Sequence, residues 1–118
     1  MTISIIVPCF NEEESLPLFY AEMEKIKSQI DDNFEYIFVN DGSKDRTLQV
    51  LRDLNQADKN VHYLSFSRNF GKEAAMYAGL SYASGEYVTI MDADLQDPPS
   101  LLPEMMRYIK DEGYDSVA

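Results

Sequence analysis

Two hydrophobic periods alternate along the chain. Short runs rich in β-branched and aromatic residues occur at Ser4–Val7, Tyr36–Asn40, Val61–Ser67 and Tyr87–Met91, and their length and composition predict strands. Between them, apolar residues recur at three- and four-residue intervals. The first set is Leu16, Phe19, Met23, Ile26 and Ile30, and the second is Leu48, Leu51 and Leu54. The third is Ala75, Ala78, Gly79 and Tyr82, and the fourth Leu102, Met105, Met106 and Ile109. Such spacing puts each set on one side of a helix. Asp45 or Ser43 is placed to cap the second helix and Ser100 the fourth, while Ser84-Gly85 marks the end of the third. The small residues of that third helix suit a close approach to a sheet or a ligand. The remaining Met and Tyr residues fall at helical or strand spacing and read as core. Asp115–Ala118 has the character of a further strand beginning.

Strands alternating with helices imply βαβ crossovers, and so an α/β fold with a mostly parallel sheet and helices on both faces. Ligands of such sheets bind outside the carboxyl ends of the strands, which directs attention to the turn after each strand. These are Val7-Pro8-Cys9-Phe10-Asn11-Glu12-Glu13-Glu14, Val39-Asn40-Asp41-Gly42-Ser43-Lys44-Asp45, Ser67-Arg68-Asn69-Phe70-Gly71-Lys72 and Met91-Asp92-Ala93-Asp94-Leu95-Gln96-Asp97-Pro98-Pro99. All four would gather on one edge.

The fourth turn is the richest in chemistry. Asp92 and Asp94 flank one small residue at a strand end, with Gln96 and Asp97 beyond. Oxygen ligands at this density suit a hard cation, Mg²⁺ or Mn²⁺, with coordination positions left for phosphate oxygens. The plainer reading makes Asp92 and Asp97 turn caps and Asp94 a solvated charge. Asp41 could accept hydrogen bonds from a nucleobase N–H or a ribose hydroxyl, or could belong to an ordinary Asp-Gly-Ser turn. Pro8, Phe10 and Glu12 could form a shelf and an acceptor beside a nucleoside. Alternatively, Pro8 stops the strand, Phe10 packs in the core, and Glu12–Glu14 favour the first turn of a helix through its dipole. Arg68 and Lys72 are the cations best placed for phosphates, or Arg68 ties acidic loops together. Cys9 reads as a small core filler, and His62 as a surface residue at a strand start.

Composition narrows the classes of function. The 118 residues suit one domain, and 45% hydrophobic with 26% charged residues describes a globular chain. A formal net charge of -11 argues against nucleic acid and against docking on anionic lipid. An acidic protein can still bind an anionic nucleotide through a divalent cation. With one cysteine no internal disulfide forms, which fits a reducing, cytoplasmic compartment. No signal peptide or membrane-spanning run is expected.

Together the four turns, in this order and spacing, resemble family 2 glycosyltransferases of the GT-A fold. The chain is most similar to bacterial polyprenyl-phosphate glycosyltransferases, which are themselves similar to dolichol-phosphate mannose synthases. The resemblance covers essentially the whole chain and implies a Rossmann-like nucleotide-binding half, residues 1–118, of a longer catalytic domain. It implies a nucleotide-diphosphate sugar donor, with UDP-sugars favoured over GDP-mannose, and a polyprenyl phosphate or saccharide acceptor. Transfer would invert the anomeric centre. By position, Pro8, Phe10, Glu12 and Asp41 would contact the nucleoside, with Asp92 and Ala93 also along the nucleotide. Arg68 and Lys72 would lie near the phosphates or order their loop. Asp92, Asp94 and Gln96 would hold Mg²⁺ or Mn²⁺ on the diphosphate, as a DXD motif. Such enzymes run to more than twice this length. The acceptor-activating residues and any membrane segment are therefore expected beyond residue 118, with the parent at the cytoplasmic face of the bacterial inner membrane. The expectation for these residues alone is donor binding without transfer.

Two other classes compete. A non-catalytic nucleotide-binding or interaction module would keep the fold without the reaction. A receiver-type signalling domain would need an acceptor Asp after the third strand, where Phe66-Ser67-Arg68 stands, and a Lys after the fifth. A dinucleotide-binding dehydrogenase lacks its Gly-x-Gly-x-x-Gly after the first strand.

Overall fold

The computed structural model describes residues 2–30 and 32–93. The expected fourth helix with its Ser100 cap, the strand start at Asp115–Ala118, and Asp94, Gln96 and Asp97 lie outside those residues. The described elements are β1 (Thr2–Cys9), α1 (Ser15–Lys27), β2 (Asn33–Asp41), α2 (Thr47–Ala57), β3 (Val61–Phe66), α3 (Lys72–Tyr82) and β4 (Tyr87–Ile90). Every strand pair is parallel, and the order across the sheet is β3-β2-β1-β4.

That order decides which face each helix takes. The path β1-α1-β2-α2-β3 steps in one direction, and α3 then carries the chain back past β1 to β4. Right-handed crossovers in opposite directions place their helices on opposite faces. The side chains of β1 divide accordingly. Ile3, Ile5, Val7 and Cys9 join Leu16, Phe19, Met23 and Ile26 of α1 and Leu51 of α2 in one core. Ile6 joins Ile37, Val39 and Ala75 in a smaller core beneath α3. Burial on both faces is why β1 and β2 read as near-continuous apolar runs. Both are longer than the local sequence signal suggested, because their neighbours extend the pairing from Thr2↔Asn33 to Cys9↔Asn40.

Aromatic packing consolidates the larger core. Phe19 meets Phe38 edge-on at 6.2 Å, and Tyr36 stacks on Phe38 at 5.8 Å. Burying each such ring contributes about 2–3 kcal/mol. Two phenols reach polar partners at the rim of this core: Tyr36 Oη donates to Glu24 at 2.8 Å and Tyr20 Oη to Asp58 at 2.7 Å. Burial, followed by these carboxylates, pushes both phenol pKa values well above the ordinary range.

The small side of α3 approaches the sheet rather than a ligand. A Cβ on Gly79 would stand 2.4 Å from Ile6 Cγ2. Tyr82, grouped with that side by spacing, is instead 48% exposed, with its ring 5.5 Å from His62. Tyr77 is 72% exposed. These two correct the expectation that the tyrosines are core, since α3 offers only its small residues to the sheet. Gly85 does not end α3 by adopting positive φ. Its Cβ position is filled by Ser4 Oγ at 2.6 Å and Thr2 O at 2.8 Å, so it is needed for close approach to β1. Among the described residues, no helix is long and apolar enough to cross a membrane.

Candidate functional site

Strand order reverses between β1 and β4, so the helices that follow β1 and β3 leave on opposite faces and a crevice opens at the carboxyl ends. A cavity of about 310 Å³ lies there, lined by Pro8, Cys9, Phe10, Glu12, Asp41, Asn69, Gly71, Lys72 and Asp92. Its size reaches the lower range for small-molecule sites.

Residues from β1 form one wall. Pro8 does not stop the strand, which runs on to Cys9 with Pro8 opposite Val39. Strand groups alternate sides, and the Ile6 carbonyl accepts the Met91 N–H from the β4 side. Pro8 therefore faces β4 beyond their last paired residues, Ile6↔Ile90, where no ladder donor is required. Phe10 is 45% exposed rather than in the core, which leaves its ring as an apolar surface at the cavity. Cys9 is the buried filler expected. Desolvation, then the nearby Glu12 charge, pushes its thiol pKa far up, so no thiolate nucleophile is available at neutral pH.

The turn after β1 is laced to the turn after β2. Asn11, in the left-handed region at φ 54, donates its N–H to Ser43 Oγ at 3.0 Å, while its side-chain oxygen accepts the Lys44 N–H at 2.9 Å. The Glu12 N–H donates to Thr47 Oγ1 at 2.8 Å and the Glu13 N–H to Asp45 at 3.2 Å. Ser43 is thus a cross-tie and not a cap. Asp45 is not the N-cap either: that position is Arg46, without a side-chain cap bond, and the Asp45 carboxylate accepts the Thr47 N–H at 2.9 Å from one residue earlier. Partial burial opposes the charge on Asp45, but bonds from Thr47 and Glu13 outweigh it and hold its pKa below the ordinary range. The three glutamates precede α1, whose first turn has no acidic residue. The Glu12 carbonyl instead receives the Ser15 and Leu16 N–H groups.

Asp41, only 4% exposed, is the hub of the opposite wall. Its carboxylate accepts the Phe70 N–H at 2.7 Å, the Gly71 N–H at 3.0 Å and Asn69 Nδ2 at 3.2 Å. Asn69 also donates to the Asp41 carbonyl. Behind it Gly42, at φ 67, lies so close to the strap of residues 68–72 that a Cβ would sit 2.3 Å from the Arg68 carbonyl carbon. Gly71 adopts φ 104, a conformation open essentially to glycine alone. Phe70 packs edge-on against Phe66 at 5.5 Å, and the Arg68 guanidinium lies 4.7 Å over the Phe70 ring. Arg68 therefore lines not the main cavity but a neighbouring cleft of about 530 Å³, together with Lys44, Ser43 and Leu48.

The strap ends at Lys72, the first residue of α3, whose Nζ stands 2.8 Å from Asp92 Oδ1. Asp92, two residues past β4, thus already presents an oxygen to a cation inside the cavity. That donor chemistry fits a hard divalent ion. Among the described residues no three His, Cys, Asp or Glu side chains converge on one point, and Asp94 and Gln96 lie outside that set. Ala93 is buried in the larger core and does not line the cavity.

Six residues singled out from the turns, Pro8, Phe10, Glu12, Asp41, Lys72 and Asp92, therefore meet at one cavity. Sequence reasoning gave no role to Asn69 or Gly71. An Asn two residues before a Gly, between a strand and a helix, was the available signal, because both residues are suited to tight loops.

Comparison with known proteins accords with this arrangement. Residues 4–118 match the family described as glycosyl transferase family 2. The bactoprenol glucosyl transferase of Shigella phage SfV is 46% identical over 106 residues, covering 90% of this chain and 34% of that relative. A mannosyltransferase from Pyrobaculum calidifontis, solved with GDP-Man and Mn²⁺, superposes with a TM-score of 0.69 at 26% identity, covering 91% of this chain and 32% of that one. The S. aureus protein TarS, solved with UDP-GlcNAc, does so with a TM-score of 0.61 at 28% identity, covering 90% and 32%. The chain spans about a third of the length of the curated relatives it matches.

Proposed function

The chain belongs to glycosyl transferase family 2, and from that premise we propose that it forms the donor-binding half of an inverting, metal-dependent enzyme. The donor is a nucleotide-diphosphate sugar, with UDP-sugars favoured, and the acceptor a polyprenyl phosphate or a saccharide. One observation carries the reading: residues from four separate turns line a single cavity at the point where strand order reverses.

In this reading the exposed face of Phe10 receives the nucleobase, with Pro8 and Glu12 beside the nucleoside. Asp41 lines the same cavity and fixes its wall, and its Oδ1, which accepts only the Phe70 N–H, has a lone pair left for a nucleoside donor. Lys72 serves the diphosphate, and Arg68 orders the loop that presents Lys72. Asp92, with Asp94 and Gln96, would hold Mg²⁺ or Mn²⁺. Such an ion, when bound, neutralises charge developing on the departing nucleotide diphosphate. Support for a divalent ion comes from the Mn²⁺ complex of the Pyrobaculum calidifontis mannosyltransferase, and support for a uridine nucleotide from the UDP-GlcNAc complex of TarS. A polyprenyl acceptor is supported by the phage relative named for bactoprenol. We place the acceptor-engaging residues, and any association with the membrane, outside these 118 residues. A phosphate acceptor is already anionic, so it needs positioning more than proton removal.

Calorimetric titration with UDP, UDP-sugars and GDP-mannose, with and without Mn²⁺, tests the proposal. One nucleotide family is expected to bind in a metal-dependent way, at least about tenfold more weakly in Asp94→Ala. A folded protein that binds none of them under any condition would rule the reading out for this chain.

A further inference from the structure

The strap of residues 68–72 is held from several sides. Asp41 takes three of its donors, Gly42 abuts its backbone, and Phe70 is packed between Phe66 and Arg68. At its far end, α3 is seated on the sheet through Gly79. The backbone of Lys72 is therefore held in place, with its side chain reaching from it into the cavity. That side chain bridges 20 residues to place Nζ 2.8 Å from Asp92 Oδ1. Lys72 is 60% and Asp92 29% exposed, and pairs this accessible contribute little to stability. The fold does not require the contact. The cavity contains both groups, and a cation reaching Asp92 meets an ammonium already there.

We propose that Lys72 is a resident counter-ion for Asp92, yielding the carboxylate to a divalent cation more readily when nucleoside-diphosphate oxygens are present to receive the ammonium. This rests on the donor-site reading above. Its physical basis is competition between two cations for one carboxylate, combined with like-charge repulsion between the ion and a nearby ammonium. An ion arriving alone must displace Lys72 into a cavity that offers it no phosphate. An ion arriving with a diphosphate leaves Lys72 with new acceptors in reach of the same fixed backbone. Binding of ion and nucleotide is then mutually reinforcing, and by linkage each raises the affinity of the other equally. The consequence is a site that takes a free divalent ion less readily than the nucleotide complex.

The test is titration of the protein with Mn²⁺ alone, followed by the loss of the free-ion paramagnetic resonance signal, and its repetition in saturating UDP and in saturating GDP. Wild type should bind Mn²⁺ weakly alone and more tightly with one nucleotide. Lys72→Met keeps the side-chain length and removes the charge. It should bind Mn²⁺ alone about three- to tenfold more tightly than wild type, while its nucleotide-dependent enhancement shrinks. Lys72→Arg, which keeps the counter-ion, should stay close to wild type in Mn²⁺ alone. Circular dichroism verifies that both variants fold. If Lys72→Met binds Mn²⁺ alone no better than wild type, while nucleotide-dependent binding persists in wild type, the counter-ion role is overturned and the donor site stands. If wild type binds neither Mn²⁺ nor nucleotide, both fall together.

Discussion

The two ends of β2 each carry an acid that gathers a distant stretch of chain, and they achieve opposite results. Near the amino end, the Glu35 carboxylate accepts the Ser4 hydroxyl at 2.9 Å, the Ser84 N–H at 3.0 Å and the Ser84 hydroxyl at 2.6 Å. Ser4 Oγ in turn accepts the Gly85 N–H at 2.8 Å. These bonds draw the turn between α3 and β4 onto β1, and that edge closes. At the carboxyl end, Asp41 draws in the strap instead, and a cavity remains above β1 and β4. The bonding chemistry is the same. The difference lies in what flanks it: at the carboxyl end the chain departs to opposite faces, so fixing the walls holds them apart. One edge spends its polar groups on closure and the other on keeping a space.

Substitutions can break either edge separately. The largest effect is expected from Gly42→Ala, where a Cβ would meet backbone atoms at 2.3 Å in a positive-φ position. A loss of about 3 kcal/mol in urea denaturation should accompany loss of nucleotide binding. Asp41→Ala comes next, because it strands three donors in a nearly closed wall. About 2 kcal/mol should be lost, and amide hydrogen exchange should rise at Phe70 and Gly71. Gly85→Ala strikes the closed edge, where Ser4 N and Thr2 O stand 2.8 Å from the added atom. It should cost about 1–2 kcal/mol yet leave nucleotide affinity within twofold of wild type, about the scatter of such measurements. If it weakens nucleotide binding as much as Gly42→Ala, the two edges are not independent.

The smallest effect is an acid dependence centred on Glu35. Partial burial raises its pKa, but bonds from Ser84 and Ser4 and the His62 charge prevail, so it lies below the ordinary value. Asp58 is lowered likewise, against burial, by Tyr20 and Asn60, and Asp45 by Thr47 and Glu13. For such groups the unfolded chain binds protons first. Their contribution is complete above the unfolded values near about pH 4 and is lost as pH falls through the lower folded values. Denaturation at a series of acid pH values should show stability falling in that window, with a shallower fall in Glu35→Gln.

Much of this arrangement is legible in the sequence. The α/β alternation, the core positions of α1, and the convergence of four turns follow from periodicity and from the geometry of parallel sheets. What escaped was set by contacts distant in sequence. Asp41 reads locally as a turn residue because its donors come from residues 69–71, some thirty positions later. Gly85 reads as a helix terminator until Ser4 is placed against it. Tyr77 and Tyr82 keep helical spacing yet stay outside, because Gly79 brings α3 too close to the sheet for a ring to intervene.

The tyrosine pair at the rim of the larger core has a practical consequence. The chain has eight tyrosines and no tryptophan, so its ultraviolet emission comes from tyrosine alone. Tyr20 and Tyr36, with ring centroids 5.5 Å apart, both donate their phenol protons to carboxylates, an arrangement that quenches emission in the folded protein. Unfolding should therefore brighten the protein, and alkaline difference absorption should show these two phenols ionising only as the core opens. The molecule has a built-in optical gauge of its own integrity, located away from the cavity and so blind to what binds there.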